Sequence, residues 1–318
     1  MFHEEVSVLA NGIKGELITV PTANPDSFYQ VISETARMPS TEIYGKLFMP
    51  EGGGPFPLVI VVPGSAGVVP SHIYKAELLT PGGIAALVID PFGTRGVVST
   101  VSNQAQYTFA ASAWDVLAAA ALMAEHPRVD EKRIGIQGHS RGGAAVLSAA
   151  TIARRVDGCI QPAGVYGAYP WSGQQFLNPE VGGTIVRSIV GDQDEWCLPQ
   201  QIQGHMQAMR LAGANASFRL VVGAHHSFDR FTPVEMVEEA SVSPGAPTVY
   251  IDDDGTLIDP RTSIPDVTLT ERDLMLYSVK SGHGHRGARL GTEGGYADIF
   301  HDDMMAFWHE VLLPGEVG

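Results

Sequence analysis

The stretch that decides the fold is Arg133-Ile-Gly-Ile-Gln-Gly-His-Ser140-Arg-Gly-Gly-Ala-Ala-Val-Leu-Ser-Ala-Ala150. A short apolar run comes before Ser140, and an alanine-rich run that is typical of a helix follows it. The pattern G-x-S-x-G lies between them, and its glycines lack the Cβ atoms that would collide where a strand and a helix approach closely. This context predicts a sharp strand-to-helix turn that exposes the Ser140 hydroxyl, as a serine nucleophile requires.

The composition limits the class of protein. The chain has 318 residues, of which 44% are hydrophobic and 17% charged, so it can bury a large core. A net charge of −15 without clusters of Lys or Arg argues against a nucleic acid or an anionic membrane as partner. The two cysteines, Cys159 and Cys197, are too few for a disulfide framework and form no metal-type C-x-x-C pair. The acidic N-terminus is unlike a signal peptide and no apolar run is long enough to cross a bilayer, so we expect a cytoplasmic protein.

Apolar segments after residue 57 alternate with segments that are typical of helices. The β-branched run at 58–62 suits a strand that is covered on both faces of a parallel sheet. Further strands are predicted near 84–89, 133–138, 160–166, 185–190 and 218–222, and helices near 104–125, 141–150, 199–212 and 296–312. This alternation predicts an α/β fold, with a mostly parallel central sheet, helices on both faces and reactive loops at the carboxyl ends of the strands.

Two parts of the chain depart from this alternation. Residues 5–10 and 14–20 predict a hairpin around Asn11-Gly12, and residues 42–49 predict another strand, so antiparallel strands should precede the parallel ones. Residues 229–295 contain a predicted hairpin whose turn is Asp254-Gly255, but otherwise lack the rhythm. We expect one domain over residues 1–318, with 229–295 as a lid-like insertion within it.

The loop that follows the strand at 185–190 supplies candidates for an acid. A serine nucleophile needs a base, and the base needs an acid that holds its tautomer. Asp192, Asp194 and Glu195 all lie in this loop, at the reactive edge of the sheet. Asp194 is favoured because it lies three residues after Gly191 and five before Pro199, where the next helix begins. Asp192 and Glu195 remain alternatives.

The loop that follows the strand at 218–222 supplies the base. His225 and His226 are adjacent there, so their side chains point in different directions and only one can face Ser140. His226 is favoured, and His225 is the alternative. The resulting chain order is Ser140, Asp194, His226, which is the order of nucleophile, acid and base in the α/β-hydrolase sheet.

Several segments resemble the dienelactone hydrolase branch of the α/β-hydrolase superfamily, specifically its serine-containing members. They are Pro63-Gly-Ser-Ala-Gly, Asp90-Pro-Phe-Gly-Thr-Arg-Gly, Val129-Asp-Glu-Lys-Arg-Ile-Gly-Ile-Gln-Gly-His-Ser-Arg-Gly-Gly, Gly191-Asp-Gln-Asp-Glu-Trp and Ala224-His-His-Ser-Phe-Asp. The resemblance implies hydrolysis of esters or lactones without a cofactor. The name-giving members carry cysteine where this chain has Ser140. Many relatives have His-Gly where this chain has Pro63-Gly64, so the resemblance implies backbone oxyanion donors, by position the N–H groups of Ser65 and Arg141.

We therefore expect a serine carboxylic-ester or lactone hydrolase that acts on a small molecule through an acyl-enzyme on Ser140, with no metal and no cofactor. Tyr169 and Trp171 follow a strand end and are candidate substrate contacts. Arg95 is a third candidate, for a substrate carboxylate, although pairing with Asp90 or Asp115 is the alternative. The other functional interpretations are a peptidase or acyltransferase on the same fold, and a binding protein without turnover.

Overall fold

The computed structural model describes residues 2–315, so Met1 and residues 316–318 of the predicted single domain lie outside it. The strands are β1 (Glu16–Ala23), β2 (Ser40–Phe48), β3 (Phe56–Val62), β4 (Ala85–Asp90), β5 (Val129–His139), β6 (Gly164–Ala168), β7 (Gln174–Phe176), β8 (Ile185–Gly191), β9 (Asn215–Val221), β10 (Glu235–Val242), β11 (Val249–Ile251), β12 (Leu257–Asp259), β13 (Ile264–Asp266) and β14 (His285–Leu290). The helices are α1 (Phe28–Ser33), α2 (Pro70–Leu79), α3 (Phe109–Ala124), α4 (Arg141–Ile152), α5 (Pro199–Leu211), α6 (Glu271–Lys280) and α7 (Tyr296–Leu312).

Eight strands form the central sheet in the order β1-β2-β4-β3-β5-β6-β8-β9. β1 and β2 pair antiparallel, and β2 also pairs antiparallel with β4. All the other neighbours run parallel. The predicted α/β class and mixed sheet are thus confirmed. Because the parallel strands share a direction, the loops after β3, β5, β8 and β9 meet at one edge of the sheet.

The strand β3 shows how the core is divided between the two faces of the sheet. Leu58 and Ile60 pack into the cluster that contains α3 and α4, whereas Val59 and Val61 pack into the cluster that contains α2 and α7. All four side chains are fully buried. The prediction that the apolar run at 58–62 is a strand covered on both faces of the sheet is therefore confirmed. Within residues 2–315, no helix is both long and apolar enough to cross a membrane.

Two predicted elements differ from the structure. The hairpin around Asn11-Gly12 is reduced to one bridge between Val8 and Lys14, because β1 starts only at Glu16 and pairs with β2 instead. The helix predicted from residue 104 starts at Phe109, where the Thr108 hydroxyl accepts a hydrogen bond from the N–H of Ala111. Residues 104–106 instead form a short 3-10 turn.

Residues 229–295 form the helix α6 and all the strands of two small sheets except β7. β10 pairs with β14, and β11 pairs antiparallel with β12 and parallel with β7. The predicted hairpin in this segment is confirmed, since Ile251 pairs with Leu257 and Gly255 takes the φ of 92° that its turn requires. Residues of β10, β11 and α6 line part of the cavity described below.

Candidate active site

Ser140 lies at the sharp turn between β5 and α4. Its backbone has φ of 55° and ψ of −112°, a conformation that a non-glycine residue adopts only when its surroundings enforce it. The surroundings are very close. A Cβ on Gly138 would lie 1.9 Å from the Gly142 carbonyl oxygen, and one on Gly142 would lie 2.5 Å from the Pro63 oxygen. Glycine at these two positions is therefore what allows strand and helix to approach and Ser140 to project from the turn.

The side chains of Ser140, His226 and Asp194 form a continuous hydrogen-bonded row. The Ser140 Oγ and His226 Nε2 atoms are 3.0 Å apart, and His226 Nδ1 is 2.7 Å from Asp194 Oδ2. The other carboxylate oxygen accepts the N–H groups of Trp196 and Cys197, both at 2.8 Å. All three side chains of the row are buried. An imidazole between a hydroxyl and a carboxylate can take the hydroxyl proton while the carboxylate fixes its tautomer.

The alternative acids and the alternative base make other contacts. Asp192 accepts the Gly223 N–H at 2.6 Å, and Glu195 forms an ion pair with Arg289 at 2.8 Å. The Nδ1 atom of His225 is buried and has no hydrogen-bond partner within residues 2–315. The structure therefore brings Asp194 and His226 to Ser140, and leaves the three alternatives outside the row.

The strand β14 of the inserted segment holds the acid loop and the base loop together. Its residue Arg289 accepts a hydrogen bond from Trp196 Nε1 at 2.8 Å through its carbonyl oxygen. The indole of Trp196 stacks on the His226 ring, with centroids 5.2 Å apart and planes 12° apart. Directly after β14, the Gly291 N–H donates to the His226 carbonyl oxygen at 2.8 Å. The inserted segment 229–295 thus contacts the backbone of His226 directly and its imidazole only through Trp196.

The buried ion pair of Lys75 and Asp229 is linked to His226 through Tyr169. The Tyr169 ring meets the His226 ring edge-on at 4.7 Å, and its hydroxyl donates to Asp229 at 2.5 Å. Asp229 also accepts from Lys75 at 2.7 Å, and both of these side chains are fully buried. Burial alone would raise the pKa of Asp229, but Lys75 and His139 beside it lower that pKa well below its usual range. Tyr169 was a predicted substrate contact; its hydroxyl bonds within the protein, while its residue lines a small pocket with Ser140 and His226, so the substrate contact stays a prediction.

The backbone N–H groups of Ser65 and Arg141, the predicted oxyanion donors, belong to residues that border the cavity beside Ser140. Gly64 lies against the turn so closely that a Cβ there would be 3.3 Å from Ser140 Cβ. The next residue, Ser65, is fixed by its carbonyl oxygen, which accepts the Thr100 N–H at 2.7 Å. Within the described chain, neither the Ser65 N–H nor the Arg141 N–H has a hydrogen-bond acceptor. Both donors are therefore available to a bound molecule.

A cavity of about 730 Å³ extends from Ser140. Trp171, a predicted substrate contact, lines it and stacks on Phe109 with ring centroids 4.5 Å apart. Three residues of its lining, Arg141, Gln174 and Ser278, each have a buried polar side-chain atom that has no hydrogen-bond partner within residues 2–315.

Arg95, the third predicted substrate contact, does not line this cavity. Its guanidinium makes two hydrogen bonds to Asp115, at 2.8 and 3.0 Å, and another to Asn24 at 2.6 Å. The structure thus shows the ion pair of Arg95 with Asp115, which was the alternative to a substrate contact. Burial favours this outcome, since Asp115 is fully buried and needs a cation beside it.

The side chain of Arg141 is a fixed cation in the cavity wall. Its Nη1 atom donates to Gln104 Oε1 at 2.9 Å, Nη2 donates to the Tyr107 carbonyl, and the guanidinium lies 4.0 Å over the Phe109 ring. Burial lowers its pKa to about 10, a value that Glu271 and Tyr107 keep from falling further, so it stays charged at neutral pH. Gln104 also donates to Ser65 Oγ at 3.0 Å and thereby ties the two oxyanion donors' residues together.

Two residues of the hydrogen-bonded row and one beside it have side chains of the kinds that bind metal ions. Asp194, Cys197 and His226 present a carboxylate, a thiol and an imidazole whose ligand atoms lie within 4.8 Å of one another. However, Asp194 and His226 already bond each other, and burial raises the pKa of the Cys197 thiol well above its usual value, so the protonated form dominates. The contacts present favour proton transfer along the row over metal binding.

Sequence reasoning missed Gln104, Phe109, Asp229 and Glu271, all of which shape the site. Asp229 is part of the segment Ala224-His-His-Ser-Phe-Asp, so it was quoted for the resemblance without a role. The other three act through contacts between residues far apart in the chain, and nothing in the surrounding sequence signals them. Only Thr270 and Asp273, a capping box at the start of α6, mark the helix that carries Glu271.

The sheet order and the strand-to-helix turn define an α/β-hydrolase fold. The dienelactone hydrolase family model matches residues 43–243, more than half of the chain. The chain therefore belongs to the dienelactone hydrolase family and is a hydrolase, and the family implies a small-molecule ester as substrate.

Individual proteins are more distant. The acyl-coenzyme A thioesterase 6 of Mus musculus is 27% identical over 199 residues, which are 59% of this chain and 44% of the relative. The chain thus spans less than half the length of that relative. The structure of esterase Est22 has a TM-score of 0.50 at 15% identity, over 68% of this chain and 74% of that one, which shows a shared fold. A dienelactone hydrolase from Anabaena variabilis has a TM-score of 0.47 at 19% identity, over 67% and 88% of the two chains.

Proposed function

We propose that this chain is a serine carboxylic-ester or lactone hydrolase that works through an acyl-enzyme on Ser140. The observation that carries the proposal is the row of hydrogen bonds from Ser140 to His226 at 3.0 Å and from His226 to Asp194 at 2.7 Å. This row opens on a cavity of about 730 Å³, large enough for a small-molecule ester.

The reaction has two acyl-transfer steps. His226 Nε2 takes the Ser140 proton as Oγ attacks the ester carbonyl, and the Ser65 and Arg141 N–H groups bind the oxyanion. His226 then gives the proton to the leaving alcohol, and the acyl group stays on Ser140. Water, deprotonated by His226, attacks the acyl-enzyme; His226 then gives that proton to Ser140 Oγ as the bond to the acyl group breaks, and the acid is released. Asp194 holds the imidazole tautomer and stabilises its cation in both steps.

We also propose that residues 1–318 act as one domain, with 229–295 as an insertion that covers the site. The support is the contact of Trp196 with Arg289 and of Gly291 with His226, which joins the inserted segment to the acid and base loops. Parts of α6 and β10 line the cavity, so the insertion contributes to substrate selection as well as to the support of His226.

A thioester is a second candidate substrate. The observation that favours it is the 27% identity with a mouse acyl-coenzyme A thioesterase over 199 residues. The same acyl-enzyme chemistry serves oxygen esters and thioesters, so the two substrates differ only in the leaving group. Amide cleavage would indicate the peptidase alternative, and capture of the acyl group by an added alcohol would indicate an acyltransferase.

The test is hydrolysis of p-nitrophenyl esters from acetate to decanoate, and of the matching acyl-coenzyme A thioesters, by the wild type and by Ser140→Ala. EDTA is present throughout, so that metal-dependent hydrolysis does not contribute. We expect turnover by the wild type and none by the variant, together with labelling of Ser140 alone by a fluorophosphonate. Undiminished hydrolysis by Ser140→Ala would refute the mechanism. If the wild type were inactive on every ester and unlabelled by the probe, the binding-protein alternative would take precedence.

A further inference from the structure

The helix α6 forms part of the wall of the cavity that Ser140 also lines. Leu274, Met275 and Val279 line the cavity from this helix, while Ser140 and Arg141 line it from the central sheet side. The helix is well formed, because the Thr270 hydroxyl accepts the Asp273 N–H and the Asp273 carboxylate accepts from Thr270 in return. Its second half is more open to solvent, with Val279 63% exposed.

The first residue of α6 is fastened to the body of the protein. The Glu271 carboxylate accepts the N–H of Phe109 at 2.7 Å and the N–H of Ala110 at 3.2 Å, and so caps the start of α3. Glu271 is only 6% exposed. Within the described residues, no other side chain of α6 hydrogen-bonds to the central sheet or to its helices. Among the side chains of α6, only the Glu271 carboxylate thus joins this helix to the body of the protein by hydrogen bonds.

The contact of Glu271 with Phe109 is connected to Ser140 through a few packed side chains. The ring of Phe109, whose N–H Glu271 accepts, stacks on Trp171 at 4.5 Å and lies under the Arg141 guanidinium at 4.0 Å. The Trp171 N–H in turn donates to the Ser140 carbonyl oxygen at 3.1 Å. The position of α6 is therefore set relative to the nucleophile through a short series of packed groups.

We infer that Glu271 is the anchor that fixes α6 as part of the wall of the substrate cavity and thereby sets the length of ester that the enzyme accepts. This inference rests on the proposed ester hydrolysis. Glu271 is a specificity-determining residue in this view, since it holds the apolar side chains of Leu274, Met275 and Val279 where a long acyl chain would contact them. A short acyl chain such as acetate does not reach that wall.

The test compares Glu271→Ala and Glu271→Gln with the wild type. The alanine variant removes both acceptors of the Phe109 and Ala110 N–H groups, whereas glutamine retains one amide oxygen in the same place. The matched control is Glu293→Ala, which removes one acid from an exposed position of the same inserted segment. Melting temperature reports whether each variant folds.

Two measurements are made on these proteins. The first is amide hydrogen exchange over residues 270–280 without substrate, which we expect to be fastest in Glu271→Ala, intermediate in Glu271→Gln and unchanged in Glu293→Ala. The second is the ratio of kcat/KM for p-nitrophenyl octanoate to that for acetate. Each methylene that loses its apolar contact costs about fourfold in kcat/KM, so the loss of two lowers the ratio by about 15-fold in Glu271→Ala.

The outcomes separate this inference from the proposed function. If Glu271→Ala matched Glu293→Ala in both exchange and the ester ratio, Glu271 would not be the anchor, even with full Ser140-dependent activity. If the wild type hydrolysed no ester, the proposed function would fail, and hydrogen exchange would still decide whether Glu271 holds α6. Should the alanine variant not fold, Glu271→Gln gives the same comparison, with no change in exchange or ratio as the refuting result.

Discussion

The raised pKa of Glu271 predicts how the free energy of unfolding of the protein depends on pH. Burial raises the pKa of this carboxyl from 4.5 to about 7, although the Phe109 N–H, the Arg141 charge and the Ala110 N–H oppose the change. Replacement by glutamine keeps the shape and removes the titration. The free energy of unfolding of the wild type should therefore depend on pH in a way that the variant's does not.

The sign follows from proton binding in the two states. Between pH 4.5 and pH 7 the unfolded chain releases the Glu271 proton, while the folded protein keeps it. The folded state binds more protons in this range, so a rise in pH favours unfolding. The contribution of the neutral carboxyl is complete below pH 4.5 and is lost as the pH rises through 7. A pKa difference of about 2.5 corresponds to about 3 kcal/mol at 1.36 kcal/mol for each pKa unit.

Urea unfolding of the wild type and of Glu271→Gln at pH 5, 6, 7 and 8, followed by tryptophan fluorescence, measures this effect. We expect the difference in free energy between the two proteins to shift by about 2–3 kcal/mol in favour of the variant from pH 5 to pH 8. Taking the difference cancels the other titrating groups, which both proteins share. Glu293→Gln, at an exposed position, should give a flat difference. A difference for Glu271→Gln that is constant within about 0.5 kcal/mol over this range would refute the reasoning.

Three further substitutions have defined outcomes. Asp194→Asn should lower kcat by about 10⁴-fold with an unchanged melting temperature, and a loss below tenfold would exclude Asp194 as the partner of His226. Asp229→Ala leaves Lys75 buried without its carboxylate, so urea unfolding should show a loss of about 3–5 kcal/mol, part of which the double variant with Lys75→Met regains. Gly138→Ala puts a Cβ 1.9 Å from the Gly142 oxygen, so circular dichroism should show a lower melting temperature, and wild-type melting would contradict the close approach.

The parts of the fold that the sequence predicted are those with local causes. The strand β3 and the helix α7 follow directly from apolar patterning, and the turn at Ser140 follows from two glycines that a close approach requires. Asp194 and His226 were found because the parallel strands before them must end at the same edge of the sheet.

The parts that the sequence did not predict depend on contacts across the chain. Glu271 is 162 residues from Phe109, whose N–H it accepts, and no short-range pattern indicates such a pair. For Arg95 the sequence left a substrate contact and an ion pair with Asp90 or Asp115 open, because only the fold shows that Asp115 is fully buried beside it and needs a cation. The full hairpin predicted around Asn11-Gly12 did not form because β1 pairs along its whole length with β2, and only one bridge joins residues 8 and 14.

The thiol of Cys197 has a consequence for how inhibition of this enzyme is read. Its sulfur lies 3.8 Å from Ser140 Oγ and borders the same cavity, although it takes no part in the proposed reaction. Burial and the raised pKa make this thiol slow to react, but a mercurial that did bond to the sulfur would occupy space beside Ser140 and block substrate entry. Sensitivity to thiol reagents would then imitate a cysteine hydrolase, and a Cys197→Ala variant that resists them would identify the bystander.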